Sequence, residues 1–222
     1  MITTVLALAV SLAMPAAISQ TLPVDDYAEQ VRKTDSLGVA MSYLEHERER
    51  GMIKLVRMRK EVTFVVGGMR VTQDNVDAYQ MENEHKLKIL TEEIERRGFA
   101  SVAGDYVMRD PAAASETRVP ACSPTEDVGP LTLVQDGSRI ELHDTDGNWS
   151  GYGVVVEHMF AVVPGARDQV SPRMLSGVVS AGAMLLLLSD NSVSAANPTG
   201  KRSACRLAIL SWKQAETGAG SK

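Results

Sequence analysis

An oxygen-rich stretch is the first candidate for chemistry in this chain. It contains His143, Asp144, Asp146 and Asn148, and carboxylate and amide oxygens are ligands that Ca²⁺ prefers. The spacing lacks the third acidic residue and the distal glutamate of a helix–loop–helix calcium loop, and the flanking residues have the pattern of strands. We therefore interpret the stretch as a polar turn between two strands. We expect neither a metal ion nor another cofactor there.

Nucleophilic catalysis is the second chemistry to consider. Ser180 is the nearest candidate nucleophile, but Gly177 and Gly182 are not each two residues from it, as the sharp turn around a hydrolase serine requires. His143 and His158 are available as general bases. The sequence favours a non-catalytic protein. A secreted hydrolase with a site near His143 or His158 is the alternative.

Two further histidines lie in segments of helical pattern. His46 stands between two glutamates and His85 follows another. Neither forms the pair of histidines four residues apart that a helical zinc site uses. We expect both to be ordinary residues of charged helix surfaces.

Three aromatic residues of the C-terminal half are candidates for ligand binding. Trp149, Tyr152 and Phe160 would stack on a ligand if they lined the mouth of a barrel. Aromatic residues of a small β-domain also commonly belong to its core. Both interpretations are open from the sequence alone.

The N-terminal segment has the features of a secretory signal peptide. An apolar run over residues 5–13 precedes the first charged side chain, Asp25, and is too short to span a bilayer. Ala17 and Ser19 supply the small residues of a cleavage site, which predicts a cut between Ser19 and Gln20. The usual lysine or arginine before the run is missing. Retention of residues 1–20 as a membrane anchor is therefore the alternative, and either route predicts an extracytoplasmic protein.

The chain has two cysteines, Cys122 and Cys205. An even pair in a protein that reaches an oxidising compartment predicts one disulfide bond. That bond would tie the loop before the second strand of the β-domain to its last strand. Two separate buried thiols are the alternative.

The region from Asp25 to Phe99 has apolar residues at helical spacing. A first helix is expected from Asp26, with Gly38 and Gly51 as positions for a kink or a break, and a reversal of the chain is expected near residues 67–68. The second helix has the clearest stripe of the chain and a C-terminal glycine, Gly98. That stripe consists of Val76, Tyr79, Asn83, Leu87, Leu90 and Ile94.

Charge favours the pairing of these two helices in an antiparallel hairpin. Residues 48–60 carry six cations, whereas residues 74–84 carry four acids and no base. Opposite charges flanking one apolar seam select an orientation, although each surface pair contributes little. Asn83 within the stripe resembles the buried asparagine that fixes register in coiled coils.

The C-terminal half has short runs of period-two pattern separated by turn-forming residues, which predicts about eight antiparallel strands. The expected strands cover residues 101–108, 131–135, 139–143, 151–156, 159–163, 174–179, 183–189 and 206–212. The fold class expected is α+β, with an N-terminal antiparallel helical hairpin followed by a small antiparallel β-meander or barrel. The parts are a signal peptide (1–19), a coiled-coil-like hairpin (20–100), a β-domain (101–213) and a disordered tail (214–222).

Composition restricts the function only broadly. A formal net charge of −5 favours solubility and argues against a nucleic-acid-binding protein. The hypothesis that follows is a secreted or periplasmic, non-catalytic protein whose β-domain binds a small ligand or a protein partner. Its helical hairpin would serve as a spacer or an oligomerisation element.

Overall fold

The computed structural model describes the chain from residue 24 to residue 212 with gaps. The described residues are 24–59, 61–66, 68–109, 130–144, 150–165, 174–180, 184–190 and 204–212. The predicted signal peptide with its cleavage site at Ser19 and Gln20, together with Cys122, Trp149 and the tail 214–222, lies outside them.

The N-terminal helical region contains one helix more than expected. Helix α1 spans Val24–Lys33 and α2 spans Ser36–Met58. The break in the first predicted helix lies at residues 34–35 rather than at Gly38 or Gly51, because Asp35 caps α2: its carboxylate accepts a hydrogen bond from the Gly38 N–H at 2.6 Å. Helix α2 then continues through both Gly38 and Gly51.

The reversal near residues 67–68 is a small β-hairpin. Strand β1 (Phe64–Val66) pairs with β2 (Met69–Val71), and Gly68 has a φ of 80°, a conformation that favours glycine. Helix α3 follows over Val76–Arg97 and ends at Gly98 with a φ of 78°. All six residues of the stripe predicted for this helix are buried.

Eight antiparallel strands follow the helices. They are β3 (Gly104–Arg109), β4 (Leu131–Asp136), β5 (Arg139–Asp144), β6 (Ser150–Val156), β7 (Met159–Pro164), β8 (Leu175–Ser180), β9 (Met184–Asp190) and β10 (Ala204–Trp212). Each pairs with the next along the chain, and β10 also pairs with β3. Helices combined with a curled antiparallel sheet confirm the α+β class.

The two faces of the sheet contribute to different apolar clusters. The inner face carries what we call the interior cluster, formed by Val102, Tyr106, Leu131, Leu133, Ile140, Leu142, Val155, Phe160, Val162 and Leu175. Cross-strand packing there is close: a Cβ added to Gly153 would lie 2.2 Å from the carbonyl oxygen of Ala161. A side chain at that position would therefore force the facing backbone to shift.

The outer face of β6 and β7 packs on the helices. Tyr152, Val154 and Val163 join residues of α2 and α3, including Leu44 and Leu90, in what we call the junction cluster. Because side chains alternate along a strand, neighbouring residues of β6 enter different clusters. The two predicted domains therefore share one apolar core.

A third apolar cluster lies under the small hairpin. Ile53 and Val56 of α2 pack with Val71, Val76 and Tyr79 beneath β1 and β2. Within the part of the chain that the structure describes, no helix is both long enough and apolar enough to cross a membrane.

Candidate functional site

The most concentrated group of buried polar side chains lies between the three helices. Tyr27 from α1, His46 and Glu49 from α2, and Tyr79 and Asn83 from α3 form this group, which we call the polar seam. Glu49, Tyr79 and Asn83 are buried, with 7%, 7% and 1% of their surface exposed. Polar atoms at this degree of burial require hydrogen-bond partners within the protein.

Hydrogen bonds connect all five residues of the seam. Nδ1 of His46 lies 2.9 Å from Oε2 of Glu49 and 2.8 Å from Oδ1 of Asn83. Nδ2 of Asn83 donates to the His46 carbonyl oxygen at 3.0 Å, and the Tyr79 hydroxyl donates to Glu49 at 2.8 Å. The Tyr27 hydroxyl lies 3.1 Å from Nε2 of His46.

The contacts fix the tautomer of His46. Both neighbours of Nδ1 are acceptors, so Nδ1 carries a proton, and the other ring nitrogen, Nε2, faces the Tyr27 hydroxyl. The order hydroxyl, imidazole, carboxylate is also that of a catalytic triad.

The seam is nevertheless unsuited to nucleophilic catalysis. Burial, reinforced by the Glu49 carboxylate, raises the pKa of Tyr27 well above its ordinary value. Burial likewise raises the pKa of Tyr79, with Glu49 again contributing. A phenol whose ionised form is disfavoured is a hydrogen-bond donor rather than a nucleophile. What the arrangement does is hold α1, α2 and α3 in one register.

A second polar group joins the ends of the helices to the sheet. The Arg97 side chain, 9% exposed, donates to Glu93 at 2.7 Å and to the Ser36 hydroxyl at 3.2 Å. It also donates to the carbonyl oxygens of residues 31, 32 and 34, just where α1 ends. The Ser36 hydroxyl in turn donates to Glu157 at 2.7 Å, in the turn between β6 and β7.

Arginines determine the ionisation of Glu93 in this group. Hydrogen bonds from Arg96, and after it from Arg97, hold the pKa of the Glu93 carboxyl at about 2 against the opposing effect of burial. Glu93 is therefore ionised at neutral pH, and its charge is compensated. The group is a structural tie between the helices and the turn.

A cleft opens on the surface where the helices meet the sheet. It has a volume of about 290 Å³ and is lined by Tyr43, Glu47, Arg50, Glu84, Leu87, Lys88, Thr91, Glu92 and Arg139. Residues from α2, α3 and β5 thus contribute to one concave surface. Three cations and three carboxylates are among its lining side chains. We call it the junction cleft.

Hydrogen bonds hold the base of the junction cleft in place. Nε and Nη2 of Arg139 donate to the Tyr43 hydroxyl at 3.1 and 2.9 Å. This hydrogen bond raises the pKa of Arg139, whereas burial raises that of the Tyr43 phenol. Arg50 pairs with Glu47 at 3.0 Å on the neighbouring turn of α2. The guanidinium of Arg139 is thereby oriented before any ligand arrives.

The structure does not bring the predicted ligand-binding aromatic residues together. Tyr152 belongs to the junction cluster and Phe160 to the interior cluster, on opposite faces of the sheet. The two residues therefore line no common surface. Trp149 lies outside the described residues.

The predicted catalytic histidines also lie apart from any nucleophile that the structure describes. His143 is half exposed, and its Nε2 lies 3.9 Å from Glu141. The carbonyl oxygen of His158 accepts a backbone hydrogen bond from Val179. Within the described ranges, no serine or cysteine side chain is hydrogen-bonded to either ring.

The residues that form the seam and the cleft were not identifiable as sites from local sequence. His46 has partners 19 and 37 residues away, and Arg139 contacts a tyrosine 96 residues earlier. One signal was available: Asn83 interrupts an apolar stripe, and a buried amide needs a polar partner on the facing helix. That signal predicts a polar partner for Asn83 but does not identify it as His46.

Comparison with protein-family models, with curated proteins and with solved structures finds no match. Among the described residues, no three histidine, cysteine or acidic side chains are grouped so that they could hold a metal ion. The function must be argued from the geometry of this chain alone.

Proposed function

We propose that this chain is a secreted or periplasmic, non-catalytic binding protein, and that it recognises its partner at the junction cleft. The observation that carries the proposal is the pre-oriented Arg139 guanidinium in a concave surface built from both halves of the chain. Binding sites favour concave surfaces with a few well-placed polar groups.

The lining of the cleft indicates the class of partner. The lining contains three cations and three carboxylates, so a ligand of one charge sign would meet repulsion as well as attraction; these side chains are Arg50, Lys88, Arg139, Glu47, Glu84 and Glu92. A peptide segment carrying both acidic and basic side chains fits this pattern. The small volume suits one or two side chains rather than a large cofactor.

The inner face of the sheet is filled by packed apolar side chains, which favours a binding site outside the sheet. Its described side chains on β3 to β8 form the interior cluster, in which Tyr106, Phe160 and Leu142 are at most 1% exposed. We further infer that the eight strands form a closed barrel behind α2 and α3, because β10 pairs with both β3 and β9. Closure would remove exposed strand edges.

Titration with a short peptide of alternating lysine and glutamate tests the proposal. We expect amide shift changes in NMR spectra at the lining residues, with peptides of only lysine or only glutamate binding more weakly. Arg139→Gln should weaken binding about tenfold, since a hydrogen bond to a charged group contributes about 1.5–3 kcal/mol. Lys33→Gln is the control, because Lys33 is an exposed cation on α1 with a single acidic partner.

Two results would count against the junction cleft. One is the absence of shift changes at the lining residues with any of the three peptides at millimolar concentration. The other is an equal loss of affinity in Arg139→Gln and Lys33→Gln, because it would indicate a diffuse electrostatic effect instead of a site.

The proposed location is tested separately from the cleft. Mass spectrometry of the mature protein should find Gln20 at the N-terminus, whereas an intact Met1 would support the membrane-anchored alternative. Peptide mapping without reductant should recover Cys122 linked to Cys205. Two free thiols in freshly isolated protein would argue against an oxidising compartment.

A further inference from the structure

The small hairpin between α2 and α3 has two edges that differ. Val66 and Met69 flank the two-residue loop and are directly paired, so the next pair, Val65 and Arg70, points its backbone N–H and C=O groups outward. On the β2 edge, the Arg70 carbonyl oxygen accepts a hydrogen bond from the Asn75 side chain at 3.0 Å. The outward-pointing carbonyl group of the β2 edge is therefore capped by the chain itself.

The β1 edge has no such cap within the described residues. Neither the N–H nor the C=O of Val65 has a hydrogen-bond partner there. The side chain of Val65 is 67% exposed, and those of Met69 and Met58 at the same end are 40% and 72% exposed. An uncapped edge with apolar side chains beside it is a surface onto which another strand can pair.

The geometry of this edge fits a second copy of the same strand. In an antiparallel pair related by a twofold axis, Val65 would stand opposite its own counterpart, and both outward-pointing groups of each copy would be satisfied. Exposed charges at this end have both signs, with Arg59 and Arg70 beside Glu61 and Asp74. A twofold contact can therefore place opposite charges against each other.

We propose that the β1 edge is a self-association surface, through which two copies of the chain form one four-stranded sheet in the order β2, β1, β1, β2. The three-residue strands limit the contact to well below the roughly 1,200 Å² of a standard interface. The dimer should thus be weak and depend on protein concentration. This inference is independent of the junction cleft, which lies at the helix–sheet boundary.

Sedimentation velocity of the full mature chain over a concentration series tests the proposal. We expect a reversible monomer–dimer equilibrium, and a dissociation constant raised at least tenfold in Val65→Lys, since an inserted lysine is a device that keeps strand edges apart. Met81→Lys is the matched control, because Met81 is 71% exposed but lies on α3. Circular dichroism establishes that both variants are folded.

Amide hydrogen exchange of the wild-type chain is a second measurement, and it does not depend on whether a variant folds. The Val65 amide of the wild-type chain should become more protected as concentration rises, while the Arg70 amide on the capped edge should not. A monomer at all concentrations up to millimolar would overturn the proposal. So would a dimer that Val65→Lys leaves intact.

Discussion

Replacement of Arg97 by methionine removes one guanidinium group that donates hydrogen bonds to five groups of the helical region. Its guanidinium bonds to Glu93, to the Ser36 hydroxyl and to three carbonyl oxygens at the end of α1. Methionine keeps most of the aliphatic length while removing every donor. The variant therefore isolates the hydrogen bonds from the packing.

The magnitude follows from burial. Loss of one partner from a buried ion pair typically costs 3–5 kcal/mol, because the remaining charge is left without compensation. Arg96 still contacts Glu93 at 2.6 Å in the variant, which reduces that penalty. The carbonyl oxygens at the end of α1 lose a donor as well. We expect the free energy of unfolding to fall by about 3 kcal/mol.

Urea unfolding followed by circular dichroism measures this loss at pH 7. Arg96→Met is the matched control, because Arg96 contacts the same carboxylate but its side chain is 63% exposed. It should lose less than Arg97→Met loses, because solvent screens the exposed guanidinium even though its hydrogen bond contributes most to the low pKa of Glu93. An equal loss of unfolding free energy in the two variants would refute the role given to the α1 carbonyl oxygens. It would mean that the ion pairs with Glu93 account for all of the stabilisation.

Acidification separates the two contributions of Arg97. The pKa of Glu93 is lowered from its ordinary 4.5 to about 2, so the stabilisation from its ionised form is complete above pH 4.5 and is lost as the pH falls towards 2. The difference between wild type and Arg97→Met should shrink over that range. The part due to Ser36 and the carbonyl oxygens should persist. A difference that does not change with pH would show that Glu93 is not involved.

Two further substitutions test the packing and the polar seam. Gly153→Ala should destabilise the protein by about 1–3 kcal/mol, because the new Cβ would meet the carbonyl oxygen of Ala161 at 2.2 Å. Gly51→Ala is the control, since the space around its Cβ is open. It should stabilise α2 by up to about 1 kcal/mol. Thermal unfolding compares the two, and a tolerated Gly153→Ala would contradict the close strand contact. Tyr79→Phe removes a donor to the buried Glu49 carboxylate and should cost about 1–3 kcal/mol in urea unfolding, whereas an unchanged midpoint would mean that the carboxylate does not depend on this bond.

The sequence predicts elements better where the signal is local. The stripe of α3 lies within one segment, so its period of 3.6 identifies six of the seven buried residues from Val76 to Ile94, all except Glu93. Each predicted strand overlaps an observed one because period-two pattern and turn residues are also local. The capping carboxylate of Asp35 is also a local signal for the break between α1 and α2, but Gly38 and Gly51 nearby are equally typical of a break.

The candidate sites depend on contacts that local patterns do not encode. In the sequence, nothing distinguishes Tyr43 from the apolar residues of α2. Only the fold places Arg139 of β5 against its hydroxyl. The sequence around His46 is typical of a charged helix surface. Its partners lie on the other two helices, α1 and α3. Tyr152 and Phe160 are both aromatic residues of neighbouring strands, yet strand parity sends them to opposite faces of the sheet.

The core that the helices share with β6 and β7 has a consequence for how the chain folds. Leu44 and Val163 belong to one cluster although 119 residues separate them, so the helical segment cannot complete its packing until the middle of the sheet is available. Such distant contacts slow folding and couple early residues to late ones. A fragment ending near residue 100 would leave the apolar face of α2 uncovered, and the whole chain should unfold in one cooperative transition. We therefore expect the helices to fold together with the strands and not to be exchangeable between proteins as an independent module.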